Sequence, residues 1–200
     1  MNRPSVPSAI GRSRVVVVAR RLGPEVVDAL AALAGDLVLE VTMDGPSAVQ
    51  DIARLRAGSM AVGAGTVLDL DAAQRALDAG ASFLVSPHLD EGLDSWAAAR
   101  GIPFIPGAMT PTEAVRGWSA GAAAIKVFPA SVVGPRFVRE MRGPLGHIPL
   151  VATGGISAEN AGEFIAAGAA AVGVGSWLTQ PGGSMADRWA ALAAAVGSPT

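Results

Sequence analysis

The sequence predicts an α/β protein with the (β/α)₈ architecture of a TIM barrel, on three observations. Short runs rich in Val, Ile, Leu or Phe alternate with alanine-rich, helix-length stretches, which is typical of parallel strands connected by helices. The sequence Ala-Gly-Ala joins a helical stretch to the next apolar run at 79–81, 120–122 and 167–169, which indicates a repeated βα unit. Eight such apolar runs favour a closed barrel over an open doubly wound sheet, the main alternative.

The eight predicted strands are bounded by Gly, Pro or Ser, the residues that interrupt strands. In chain order they are RVVVVA (14–19), LVLEVT (37–42), SMAVGA (59–64), SFLVSP (82–87), IPFIPG (102–107), AAIKVF (123–128), PLVAT (149–153) and AAVGVG (170–175).

Three of the intervening helices carry start and stop signals, namely a capping residue before the first turn and a glycine after the last. These residues are Asp69 and Gly80 for the first helix, Thr110, Pro111, Glu113 and Gly121 for the second, and Ser157, Asn160 and Gly168 for the third.

The 200 residues are enough for one sizeable domain, and 50% of them are hydrophobic, so a large core is expected. Residues 1–12 contain two prolines and few large apolar residues, which predicts a loose tail before a single barrel domain at 13–197. The apolar run VVVVA is too short for a membrane span or a signal core.

Composition argues against several classes of partner. A net charge of −2 gives no electrostatic reason to expect nucleic acid or an anionic membrane as a partner. The chain has no cysteine, which excludes disulfides and thiolate metal sites and is consistent with a reducing compartment such as the cytoplasm. His88 and His147 lie far apart in the sequence and lack the paired spacing of a zinc site, so no metal is expected.

Lys126 is the only lysine among the 15 basic residues, and it lies in the apolar run AAAIKVFPA (122–130). Burial favours the neutral form of an amine, and a neutral amine can attack a carbonyl carbon to form a Schiff base. Arginine stays protonated and cannot do this. The use of arginine at every other basic position favours a reactive amine at Lys126 over an ordinary ion-paired lysine.

Glu40 is the second candidate for chemistry. Period-2 alternation places Val38, Glu40 and Thr42 on one face of their strand, and Lys126 on one face with Ala124 and Phe128. In a barrel, both polar side chains would point into the mouth at the carboxyl ends of the strands. Glu40 could transfer protons there or could pair with Arg20, and the residues alone leave both interpretations open.

Two glycine-rich loops follow the last two predicted strands: ATGGIS (152–157) and GVGSW (173–177). Loops at these positions commonly bind phosphate, because their N–H groups can approach an anion closely. Two further motifs end predicted strands. Thr66 in GAGT (63–66) could donate a hydrogen bond to a carboxylate or carbonyl. His88 in SPH (86–88) is a lone histidine in a loop, and such a residue is more often incidental than catalytic.

From about residue 14 to residue 178 the chain resembles the class I aldolases that cleave 2-keto-3-deoxy-6-phosphogluconate and 4-hydroxy-2-oxoglutarate. The stretches that carry the resemblance are LEVTM, VGAGTVLD, FLVSP, IPFIPGAMTPTEA, IKVFPA, ATGGIS and GVGSWL, in that order. The resemblance implies a Schiff base on Lys126, an acid/base role for Glu40, no metal or organic cofactor, and a homotrimer of barrels. It implies that Thr66 and Pro87 line the pyruvyl end and that Gly154, Gly155 and Ser176 hold phosphate. Phe128, Thr153 and Gly175, in the same motifs, complete the candidate binding residues.

The chain departs from this family at two positions. Well-known members carry an arginine four residues after the glutamate, where it helps to hold the substrate carboxylate, but this position is Asp44. We expect Asp44 to repel the substrate and Arg20, at the end of the first strand, to supply the missing cation. Members also often have glycine after the Ser-Pro pair, where this chain has His88.

The predicted substrate is therefore a small 2-keto acid, phosphorylated if the glycine loops bind phosphate. Two alternatives use the same loops without a Schiff base: a phosphate-binding isomerase or synthase barrel, such as those that make thiamine phosphate, and a non-catalytic barrel that binds phosphosugars.

Overall fold

The computed structural model describes residues 3–33, 37–58 and 60–197. Within these residues nine strands form one sheet, and every strand pair is parallel. The strands are β1 (Val15–Ala19), β2 (Val38–Thr42), β3 (Ala61–Gly65), β4 (Leu84–Val85), β5 (Phe104–Ile105), β6 (Gly107–Ala108), β7 (Ile125–Val127), β8 (Leu150–Thr153) and β9 (Ala171–Val174).

The sheet closes into a barrel at Pro106, which confirms the predicted (β/α)₈ fold. The strand expected at 102–107 is two short strands, β5 and β6, because proline has no N–H to donate to a ladder. β5 pairs with β4, whereas β6 pairs with β7. The N–H of Lys126 donates to the carbonyl of Pro106 at 2.8 Å, so this one segment joins the two ends of the sheet.

The strands are connected by helices on the outside of the barrel. In the described part of the chain the helical segments are α1 (Ser8–Ser13), α2 (Pro24–Ala31), α3 (Ala48–Arg56), α4 (Leu70–Asp78), α5 (Glu91–Ala99), α6 (Pro111–Ala120), α7 (Ala130–Leu145), α8 (Ala158–Ala166), α9 (Ser176–Thr179) and α10 (Met185–Val196). Gly134 has φ 72° and ψ 173° and divides α7 into two parts.

The predicted helix signals are confirmed. The Asp69 side chain accepts a hydrogen bond from the N–H of Ala72 at 2.7 Å at the start of α4. Capping boxes are present at the starts of α6 and α8, where Thr110 and Ser157 are the capping residues. Gly121, the residue after α6, has φ 112°, a left-handed conformation that glycine adopts without steric cost.

Two apolar clusters lie on opposite faces of the sheet, as the alternation predicted. The smaller fills the barrel interior and contains Val16, Val38, Phe83, Ile105 and Val151. The larger lies between the sheet and the helices and includes Leu39, Ile125 and Val127. The polar candidates at the carboxyl ends of the strands therefore lie above a layer of buried apolar side chains.

The prediction of a loose tail over residues 1–12 is wrong for the part of it that forms α1. Ile10 of α1 is buried with the cluster inside the barrel, and Val6 and Ala9 pack against that cluster. The guanidinium of Arg3 lies 3.3 Å from the ring centroid of Trp118 and donates to its carbonyl. The segment covers the lower end of the barrel, a role that its own composition does not reveal.

No helix in the described residues is long and apolar enough to cross a membrane.

Candidate active site

A cavity of about 610 Å³ opens at the carboxyl ends of the strands, where barrels of this kind place their active sites. Every candidate residue of the sequence analysis lines it. They are Arg20, Glu40, Thr66, Pro87, Lys126, Phe128, Thr153, Gly154, Gly155, Gly175 and Ser176. The fold therefore brings residues from seven of its nine strands, or from the loops that follow them, to one space.

Lys126 and Glu40 form the centre of this cavity. The Nζ of Lys126 lies 3.5 Å from Oε1 of Glu40, and the two side chains are only 7% and 3% exposed. The Phe128 ring centroid is 5.2 Å from the same Nζ. Since a buried charge is costly unless it is paired, each of the two groups offsets the cost of burying the other. The other interpretation of Glu40, as a partner of Arg20, is wrong.

Glycines in the strands make room for the inward side chains. A Cβ on Gly65 would lie 2.1 Å from Oε1 of Glu40, and a Cβ on Gly173 would lie 2.4 Å from Oγ1 of Thr153. Any side chain at these positions would displace the neighbouring polar group. Gly65, the second glycine of the GAGT motif, therefore leaves the space that the Glu40 carboxylate occupies.

Thr66 follows Gly65 at the end of β3 with φ 54°, a left-handed conformation that costs a β-branched residue energy. Strained backbone of this kind is concentrated at functional sites, where the surrounding structure holds it. Pro87 lies across the mouth on the loop after β4 and lines the same cavity.

The two glycine-rich loops lie side by side, because β8 and β9 are neighbours in the sheet. Gly154 and Gly155 have φ values of 100° and 69°. A Cβ on Gly155 would lie 2.5 Å from Cβ of Ser131, so only glycine fits without a shift. Both loops line the cavity, and Ser176 begins the short helix α9 on the second of them.

Arg20 lies at the cavity mouth, but its contacts differ from those expected. Its Nε and Nη2 donate to Oδ2 of Asp44 at 3.2 and 3.0 Å. Nε of Arg21 is 3.3 Å from the same oxygen. Burial would raise the pKa of Asp44, but the side chains of Thr42, Arg20 and Arg21 together hold it below its ordinary value.

Asp44 is therefore an ionised carboxylate paired with two arginines, and it is not among the residues that line the cavity. A repulsive carboxylate facing the substrate, as the sequence led us to expect, is not what the structure shows at this position. The direction of a side chain just beyond a strand end is set by the local turn, which the residue types did not indicate.

Sequence reasoning missed several lining residues, among them Leu22, Thr42, Trp177, Thr179 and Gln180. Trp177 directly follows Ser176 in a motif that was recognised, so adjacency could have indicated it. His88 is exposed and its Nδ1 is 3.0 Å from the Ser86 hydroxyl. It lies outside the cavity, in line with its interpretation as incidental. No cluster of three His, Asp or Glu residues suited to a metal occurs in the described ranges.

Comparison with known proteins identifies the family. A family model described as KDPG and KHG aldolase matches residues 13–194. The probable 2-dehydro-3-deoxy-6-phosphogalactonate aldolase of Rhizobium meliloti (strain 1021) is 34% identical over 181 residues, 86% of this chain and 85% of that protein.

Two solved structures are similar over nearly the whole chain. The 2-keto-3-deoxy-6-phosphogluconate aldolase of Zymomonas mobilis ZM4, solved with 3-phosphoglycerate, has a TM-score of 0.82 at 29% identity and covers 94% of this chain and 93% of its own. The KDPG aldolase of Legionella pneumophila, with pyruvate captured as a covalent carbinolamine intermediate, has a TM-score of 0.81 at 28% identity and covers 96% and 97%. The chain therefore belongs to the KDPG and KHG aldolase family, whose named members are aldolases and hence lyases.

Proposed function

We propose that the protein is a Schiff-base aldolase that cleaves a 2-keto-3-deoxy-6-phosphosugar acid or 4-hydroxy-2-oxoglutarate. The products are pyruvate and an aldehyde, either glyceraldehyde 3-phosphate or glyoxylate. The observation that carries the proposal is the only lysine of the chain, buried in the cavity with Nζ 3.5 Å from the Glu40 carboxylate. The covalent carbinolamine of pyruvate in the Legionella pneumophila relative supports the same chemistry.

The reaction begins at Lys126. Its amine, after losing a proton to the adjacent Glu40, attacks the C2 ketone of the substrate to form a carbinolamine. Glu40 returns the proton to the carbinolamine hydroxyl, which leaves as water, and Glu40 is again a carboxylate. Loss of this water gives an iminium that can accept an electron pair. The apolar layer beneath the site keeps bulk water away from the lower side of this group.

Glu40 then acts as the general base, directly or through a water molecule. It takes the proton of the C4 hydroxyl as the C3–C4 bond breaks, and the bonding electrons move into the iminium to give an enamine. The aldehyde leaves, Glu40 gives the proton it holds to C3 of the enamine, and water hydrolyses the resulting iminium to release pyruvate and free Lys126. A neighbouring carboxylate that can take and return a proton is what these steps require.

The two ends of the substrate are proposed to lie on different parts of the rim. Thr66 and Pro87 line the pyruvyl end, and Arg20 binds the carboxylate that a family arginine would otherwise hold. Thr153, Gly154, Gly155, Gly175 and Ser176 form the site for a phosphate on the aldehyde end, with Phe128 beside the reacting centre. Backbone N–H groups on adjacent glycine loops suit a phosphate, which supports a phosphorylated substrate.

Borohydride reduction in the presence of pyruvate tests the proposal. We expect one reduced pyruvyl group per chain, placed on Lys126 by peptide mapping, since the N-terminal amine is the only other primary amine. Lys126→Arg keeps the positive charge and should abolish both cleavage and trapping, because arginine cannot form an imine. An adduct on the N-terminus alone would contradict the mechanism and favour a barrel that works without a Schiff base.

We further propose that the protein is a cytoplasmic homotrimer. The exposed apolar residues Leu68 and Leu70 follow β3 in the chain, and exposed Val132 follows β7, which lies in another part of the ring. Exposed apolar side chains on two different parts of the surface suit a head-to-tail contact that closes into a ring. Analytical ultracentrifugation of the wild type and of Val132→Glu tests this, and a monomeric wild type at micromolar concentration would contradict it. The absence of cysteine supports the cytoplasmic location.

A further inference from the structure

Arg20 occupies a defined position above the reacting pair. Val18 of β1 pairs in register with Glu40 of β2, so Arg20, two residues further along, lies one inward-facing level above Glu40. Arg20 lines the same cavity as Lys126, and its side chain is 59% exposed. An arginine in this position has many rotamers available unless another group holds it.

Asp44 is the group that holds it. Nε and Nη2 of Arg20 share Oδ2 of Asp44, which fixes one edge of the guanidinium. Among the residues that the structure describes, no hydrogen bond involves Nη1 of Arg20, so this nitrogen is available to an anion in the cavity. Asp44 itself does not line the cavity and is 18% exposed.

Arg21 prevents the carboxylate from cancelling the charge of Arg20. Arg21 has φ 51°, a left-handed conformation, and its Nε contacts both Oδ2 and the carbonyl oxygen of Asp44 at 3.3 Å. Two arginines and one carboxylate leave the cluster with a single positive charge at the rim. An anion that approaches the cavity therefore still meets a net attractive field.

We propose that Asp44 is a positioning residue that holds the Arg20 guanidinium over the cavity mouth as the partner for the carboxylate of a 2-keto acid. This proposal rests on the proposed function. It gives Asp44, the residue that departs from the family pattern, a part in substrate binding. A preordered guanidinium loses less side-chain entropy when the substrate arrives, which strengthens binding. If Asp44 instead repelled the substrate, removing its charge would strengthen binding of the 2-keto acid, whereas loss of a positioning residue weakens it.

The test measures the pyruvate concentration that gives half-maximal borohydride trapping in wild type, Asp44→Asn, Arg20→Ala and the double variant. Asp71→Asn is the matched control, because it removes the carboxylate of an exposed ion pair on α4. Arg20→Ala should raise the half-maximal concentration about ten- to a hundredfold, the effect of one charge-assisted hydrogen bond. Asp44→Asn should raise it about two- to tenfold through lost ordering, and Asp44→Glu should give a smaller rise.

The double variant decides the mechanism. If Asp44 acts through Arg20, adding Asp44→Asn to Arg20→Ala produces no further change. A lower half-maximal concentration in Asp44→Asn, an unchanged one, or effects that multiply in the double variant would overturn the proposal. If the wild type forms no adduct, the proposed function fails. Titration calorimetry with pyruvate on the same proteins then tests the role of Asp44. The Kd for pyruvate must rise from wild type to Asp44→Asn and again to Arg20→Ala, with no further rise in the double variant.

Discussion

Asp94 offers a test of the structure that does not depend on the reaction. It lies in the first turns of α5, is fully buried, and neither of its carboxyl oxygens has a hydrogen-bond partner among the described residues. Burial, with smaller contributions from the negative charges of Asp90 and Glu91, raises the pKa of Asp94 from 3.8 to about 8. A carboxyl group in this setting is protonated at neutral pH.

The sign of the effect on stability follows from proton linkage. Between pH 4 and pH 8 the folded protein keeps a proton on Asp94 that the unfolded chain has released, so stability falls as the pH rises through this window. One pKa unit corresponds to about 1.4 kcal/mol, so the whole shift is worth about 6 kcal/mol as an upper limit. Local relaxation and water penetration reduce this in a real protein, and we expect a loss of about 2–4 kcal/mol.

Asp94→Asn removes the ionisation and nearly preserves the shape. The free energies of unfolding of wild type and variant are measured by urea denaturation at one protein concentration. Between pH 5 and pH 8.5 the difference between them should shift in favour of the variant by about 2–4 kcal/mol. Unpaired amide groups of the variant lower its stability equally at all pH values, so the change in the difference with pH is the decisive quantity.

The control is Asp71→Asn, whose parent side chain is 80% exposed. It should leave the pH dependence of stability within about 0.5 kcal/mol of wild type. The carboxyl groups whose pKa is lowered, Asp44, Glu113 and Glu159, titrate at acidic pH, below the range compared. A constant difference between Asp94→Asn and wild type from pH 5 to pH 8.5 would refute the burial of an unpaired carboxyl at this position.

Three further predictions concern the active site. Glu40→Gln should lower the rate of cleavage about 10²- to 10⁴-fold, as loss of a general base does, while the borohydride adduct still forms more slowly; unchanged turnover would leave Glu40 a purely structural residue. Gly65→Ala places a Cβ 2.1 Å from Oε1 of Glu40 and should cost about tenfold to a hundredfold in kcat with an unchanged circular dichroism spectrum. Gly143→Ala, where nothing lies within 4 Å, is its matched control, and equal rates for the two variants would contradict the steric argument. Ser176→Asp should raise KM for 2-keto-3-deoxy-6-phosphogluconate at least tenfold and leave 4-hydroxy-2-oxoglutarate nearly unaffected, and an equal loss for both substrates would argue against a phosphate site.

Local patterns were sufficient for the order of elements and for the reacting pair. The starts of α4, α6 and α8 depend on capping contacts within four residues, so the sequence contains all that is needed to place them. Period-2 alternation assigned Glu40 and Lys126 to inward faces. Once the strands close into a barrel, two inward polar groups near strand ends must meet at its mouth.

The tertiary structure alone decided the features that depend on groups distant in sequence. The burial of Ile10 depends on the open lower end of a barrel whose strands lie far along the chain. The contact of Arg20 with Asp44 depends on how the chain turns beyond β1 and β2, where Arg21 is left-handed. Asp94 looks like an ordinary polar residue of a helix, and only the packing of α5 makes it a buried, unpaired acid. Residue types determine which groups are present and which faces of regular elements they share, whereas pairing at strand ends and burial between elements are set by three-dimensional contacts that no local pattern records.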